Sequence, residues 1–151
     1  MTLKLMQNAI RVSIAAAVFA TCLIAAGANA QFGPAVFAGK FTLPYEVHWG
    51  GSVLSAGEYS IRMESVQHAA VVSSPDGKVN MFIRIPTVGD AEKGGATYLT
   101  IFIRGNERTV QSLNLPELGK MLTYHPLTKS EREELAKAGQ VQTLSITTAK
   151  K

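Results

Sequence analysis

Cysteine is nearly missing from this sequence of 151 residues: Cys22 is the only one. It lies in an apolar N-terminal stretch, so the chain beyond it has neither a disulfide to reinforce a small core nor a thiol for nucleophilic catalysis. Phe19, Ala20 and Thr21 precede Cys22 where a lipid-attachment site places a Leu three residues before and a Gly or Ala immediately before. Histidine is scarce too: His48, His68 and His125 are the only 3, and none is spaced as H-x-H or H-x-x-x-H, which excludes a zinc cluster read from sequence. The only aspartates, Asp76 and Asp90, sit in turn and loop contexts, away from any aspartic dyad. Gly50-Gly51-Ser52-Val53-Leu54 lacks the second glycine of a nucleophile elbow and leads into a strand instead of a helix. No catalytic residue, metal ligand set or cofactor is expected.

Two further absences bound the partners. Val12 to Ala26 is the longest apolar run, and it falls short of the roughly 20 residues that cross a bilayer core. No basic cluster follows it, because residues 31–39 carry no charge. The charge balance is equally modest. Of the 15 Lys and Arg, Lys4 and Arg11 belong to the N-terminal segment, leaving a net charge of +2 against 11 Asp and Glu. That is no footprint for nucleic acid.

What the N-terminus does contain is an address. Lys4 and Arg11 give a basic start, Val12 to Ala26 an apolar centre, and Ala28-Asn29-Ala30 the small residues a signal peptidase accepts. The sequence therefore predicts a signal peptide over 1–30, cleaved after Ala30, and no membrane span afterwards. No twin-arginine pair precedes the apolar run, so the general secretory route is expected, ending in the periplasm or outside the cell. Residues 31–39 read as a flexible lead-in, and 40–151 as one β-domain large enough to fold on burial alone.

Along that domain the period is two. Phe41, Leu43, Tyr45, Val47 and Trp49 alternate with Lys40, Thr42, Pro44, Glu46 and His48, which predicts one strand with a buried face and an edge or bulge at Pro44. Shorter strands follow at Val53-Leu54, around Tyr59, Ile61 and Met63, at Ala70 to Val72, and then at 79–85, 98–104, 109–115, 121–124 and 142–148. Pro75-Asp76-Gly77-Lys78 and Gly105-Asn106-Glu107 are the tight turns between them, and 89–96 is a Gly-rich loop. One helix is expected: Thr128 and Glu131 form a capping box ahead of Ser130 to Ala138, with Lys137 near its end and Gly139 as its stop. Its few apolar residues make it a surface lid or connector. About seven to nine short strands with one short C-terminal helix predict an all-β antiparallel sandwich or small open barrel.

Three groups of residues are candidates for a site. Glu46 and His48 share the polar face of the first strand and are the best acid–base pair available to a small hydrolase. Trp49 is a potential stacking platform, but its parity assigns it to the core. Phe82-Ile83-Arg84 and Phe102-Ile103-Arg104 echo one another. If those two strands pair, Phe82, Phe102, Arg84 and Arg104 share a face with Arg62 nearby, a combination suited to stacked anions or carboxylates. Arginine stems simply covering aromatic rings is the plainer reading.

The segment Phe41-x-Leu43-Pro44-Tyr45-x-Val47-x-Trp49-x-Gly51, continued by Leu54-x-Ala56-Gly57-Glu58-Tyr59, resembles the opening of a group of exported bacterial small β-domain proteins of uncharacterised activity. That resemblance implies no activity, cofactor or catalytic residue. The piece from Leu54 to Tyr59 also resembles a hairpin of prealbumin-like and other immunoglobulin-like bacterial domains, which implies that Tyr59 packs inward with its hydroxyl returned to the backbone. The function expected is an exported, non-catalytic β-domain that binds a ligand or protein of the envelope or the exterior. Self-association through the β-prone segments 79–85 and 98–103 is the alternative.

Overall fold

A computed structural model describes residues 34–138 and 140–148. The expected signal peptide with Cys22 and its cleavage site, the helix stop at Gly139 and the tail at Lys150-Lys151 lie outside the described residues.

The described chain is all-β with one helix. In order it forms β1 (Phe37–Leu43), β2 (Val47–Trp49), β3 (Ser52–Leu54), β4 (Gly57–Met63), β5 (Ala70–Ser73), β6 (Asn80–Ile83), β7 (Thr87–Asp90), β8 (Tyr98–Arg104), β9 (Glu107–Leu115) and β10 (Lys120–Thr123). Helix α1 (Lys129–Ala138), β11 (Gln140–Ser145) and β12 (Thr147–Thr148) complete it. The first sheet has the order β12-β1-β4-β5-β6, and the second β11-β8-β9-β10-β7 with the β2–β3 hairpin attached to β9. Their facing side chains meet in one apolar core, the sandwich solution to burying one face of each sheet.

Twelve strands stand where seven to nine are expected, and the surplus has a cause. The predicted strand from Lys40 to Trp49 begins earlier, at Phe37, and is cut at Pro44, which has no N–H for the ladder. Its first half pairs with β4, ending at Leu43 opposite Gly57. Its second half crosses to the other sheet, where His48 lies opposite Thr109 of β9. The inward parity survives the crossing: Phe41, Leu43, Val47 and Trp49 are all buried. Tyr45 sits at the corner beneath the Arg108 guanidinium, 4.4 Å from its ring centre, and its hydroxyl bonds Gln142 of β11. The C-terminus crosses back in the same manner. β11 lies against β8, Ile146 is buried with its N–H on the Thr97 carbonyl, and β12 lies against β1.

The hairpin chemistry holds. The Ser74 N–H donates to the Val79 carbonyl across the Pro75–Lys78 turn, the Val79 N–H donates to Ser74 Oγ, and the Asp76 carboxylate accepts from the Lys78 N–H. The Ser74 hydroxyl, followed by that N–H, keeps the Asp76 carboxyl below its usual range. Tyr59 packs inward and donates its hydroxyl to the Ser55 carbonyl at 3.0 Å. In the core Trp49 meets Tyr124 edge-on at 5.5 Å, and neither Trp49 Nε1 nor the Tyr124 hydroxyl finds a hydrogen-bond partner among the described residues. Burial drives the Tyr124 phenol far above its ordinary range.

Helix α1 is a crossover. The chain must pass from β10 over β9 and β8 to reach β11, and the core fills the inner route. It therefore runs across the outside, where Glu134 takes a 3.1 Å ion pair from Arg104 of β8.

Candidate functional site

The outward face of the first sheet gathers most of the unexplained side chains. Register across β1, β4, β5 and β6 sets Ala38 beside Arg62, Arg62 beside Val71, and Val71 beside Phe82, in one row. Two residues along each strand, roughly 7 Å away, runs a polar row: Thr147, Lys40, Ser60, Ser73 and Asn80. Part of this row is internally bonded. Ser60 Oγ donates to the Ser73 carbonyl at 3.3 Å, and Ser73 Oγ to Asn80 Oδ1 at 3.1 Å.

Phe82 is 69% exposed, the most open large apolar side chain among the described residues. Parity explains it: Ile83 takes the core side of β6 and is fully buried, so Phe82 points outward. Arg84 follows on the same parity beyond the strand end. Its Nη2 donates to the Tyr124 carbonyl at 3.5 Å. The β2–β3 turn presses on this point, since a β carbon on Gly50, at φ 55°, would stand 3.1 Å from the Arg84 nitrogen. Ile85, just beyond the strand, is 59% exposed.

At the other end of the face lies a groove of about 670 Å³. Its floor carries Lys40, Thr42, Glu58 and Ser60; Ser74 and Pro75 of the β5–β6 turn stand on one side, and Ser145 and Thr147 of the returning chain on the other. Phe41, Tyr59 and Leu144 complete the lining. The side chains of Lys40, Thr42, Glu58, Ser145 and Thr147 make no hydrogen bond or ion pair with another described residue.

The structure divides the candidates expected from sequence. Arg62 and Phe82 share the outward side of the first sheet, whereas Arg84, beyond the end of β6, turns its guanidinium to the Tyr124 carbonyl just after β10 of the second sheet. Phe102 and Arg104 do not join them: the pairing of the two Phe-Ile-Arg strands, on which a shared face depended, does not occur. β6 closes a hairpin with β5 and ends the first sheet, whereas β8 lies between β11 and β9 in the second. Pro86 and β7 separate them by carrying the chain from one sheet to the other. Phe102 is only 3% exposed although it lies outside the core cluster, on the side of β8 where Arg104 pairs with Glu134 of the crossover helix. Arg104 is spent on Glu134. Glu46 and His48 are both exposed, and neither lines the groove. No cluster of three metal-ligating side chains occurs among the described residues. Trp49 is fully buried, in the core as its parity predicts.

The polar row escaped sequence reasoning because each member, taken alone, is an ordinary solvated strand residue. Strand pairing aligns them, and the pairing of β12 with β1, which joins segments far apart in the chain, adds Thr147. No protein-family model, curated protein or solved structure matches this chain.

Proposed function

We propose that this chain is an exported, non-catalytic β-domain that binds a ligand of the cell envelope or the exterior on the outward face of its first sheet. One observation carries the reading: an exposed Phe82 shares a face with a groove in which the side chains of Lys40, Thr42, Glu58, Ser145 and Thr147 have no hydrogen-bond or ion-pair partner among the described residues. Such a surface leaves stacking area and hydrogen-bonding capacity unspent, which is what a ligand uses. Export rests on Lys4, Arg11, the run from Val12 to Ala26, and Ala28-Asn29-Ala30.

Two measurements test it. Intact-mass analysis of the exported product from a secreting host is expected to give a chain starting at Gln31; a product retaining Met1 in the membrane fraction overturns export. Amide shifts of the isotope-labelled protein, titrated with glycans, acyl ligands and candidate partner proteins, are expected to move at Ser60, Val71 and Phe82. A well-folded sample in which no ligand moves them overturns the binding reading.

A second reading, pairing between copies, draws on one feature. Among the described residues β6 is an unpaired edge of the first sheet, with Phe82 exposed on it and Ile85 exposed just beyond it. The segment 98–103, the other half of that expectation, forms β8, which is paired on both sides. A sedimentation profile that stays monomeric at high concentration excludes this reading.

A further inference from the structure

We propose that the ligand of this face is an uncharged saccharide chain lying across the strands, with one ring stacked on Phe82 and its neighbours held by the polar row and the groove. The inference rests on the binding reading above and names its substrate class.

Charge is the first argument. The groove floor carries one cation, Lys40, and one anion, Glu58, and its remaining polar lining is neutral hydroxyl. The two charges cancel, so the groove selects for no net charge, yet it offers donors and acceptors at every step. A polyhydroxylated chain supplies both. An acyl chain supplies neither: it would strip water from Lys40, Glu58, Thr42 and Thr147 without replacing their hydrogen bonds. A protein partner would need a broader apolar centre than Phe82 and Val71 provide.

Geometry is the second. The polar row crosses five strands, from Asn80 on β6 to Thr147 on β12, a span of roughly 19 Å at the usual strand spacing. Phe82 flanks one end of that line and the groove the other. An extended chain of several sugar rings has the length to touch both, presenting its C–H faces to the aromatic ring and its hydroxyls to the side chains. The exposed ring is then explained as a platform, in place of the solvated Phe the row would otherwise leave.

The test is calorimetry and amide-shift titration with neutral oligosaccharides of several linkages (β-glucan, α-glucan, mannan, chitin fragments), alongside oligogalacturonate, a dodecanoate salt and the protein alone at rising concentration. At least one neutral oligosaccharide is expected to bind saturably and move resonances from Phe82 to Thr147. Phe82→Ala and Glu58→Ala are each expected to weaken it about tenfold. Both positions are exposed, so a thermal melt unchanged from the parent chain shows that the loss is local. Oligogalacturonate binding best overturns the uncharged assignment. Dodecanoate or a second copy moving the same resonances while every saccharide fails overturns the saccharide and keeps the binding face. Silence from all of them overturns both.

Discussion

Gly39 stands where the returning end of the chain lies against β1, opposite Thr148. A β carbon there would sit 2.6 Å from Ile146 Cγ2, 3.2 Å from the Phe37 ring and 3.3 Å from the Thr147 carbonyl. Ile146 is buried and its backbone is bonded to Thr97, so it has little room to yield. In an open strand, Gly→Ala usually helps through the unfolded state. Here overpacking wins, and Gly39→Ala is expected to cost about 1–3 kcal/mol, read as a lower denaturant midpoint at constant slope. The penalty should shrink in an Ile146→Ala background, because that change removes the nearest obstacle. The sequence marks Trp49 and Tyr59 as core residues through parity. It cannot mark Gly39, whose role depends on a contact with a segment at the far end of the domain.

Helix α1 was legible as an element, and for a physical reason: its signal is local. Thr128 and Glu131 satisfy each other's backbone donors, with Glu131 Oε2 accepting the Thr128 N–H at 2.8 Å and Thr128 Oγ1 accepting the Glu131 N–H at 3.3 Å. His125 adds a ring nitrogen 3.0 Å from Glu131 Oε1, a contact that spacing alone does not reveal. The Thr128 N–H, then His125, then the Thr128 hydroxyl hold the Glu131 carboxyl down from 4.5 to about 2. A carboxyl depressed in the folded state contributes stability above its unfolded value and loses it as pH falls through its folded value. The helix start is therefore expected to weaken progressively from about pH 4.5 to about pH 2. Amide exchange of residues 128–132 measured across that range checks it, and Glu131→Gln should flatten the dependence. Thr128→Ala is expected to cost about 1 kcal/mol at neutral pH. The strand elements show the opposite limit. Alternation ran unbroken through Pro44, so the pattern read as one strand what the fold uses as two, because side-chain parity does not record which sheet a backbone joins.

At the scale of the molecule, the same limit hid the proposed binding face. Sheet membership of β6 and β8 decides whether Phe82 and Phe102 meet, and two identical tripeptides cannot encode it. The fold class was legible because turn chemistry and period two are short-range. Strand order was not, since it depends on pairings such as Gly39 with Thr148 and His48 with Thr109. Those pairings also tie the sheets together: β1 continues into β2 and β11 into β12, each crossing from one sheet to the other. Neither sheet can unfold without pulling on both corners, so one cooperative transition is expected. Trp49 reports it cleanly, being the single tryptophan and fully buried at the first corner. Denaturation followed by Trp49 emission and by far-ultraviolet dichroism should give one midpoint, unmoved by reductant because a lone cysteine forms no intramolecular disulfide. Refolding should fall in the millisecond-to-second range of sheets built from distant segments. Two separated transitions, with Trp49 emission changing ahead of the dichroism, would show instead that the sheets are independent and that the corners are hinges.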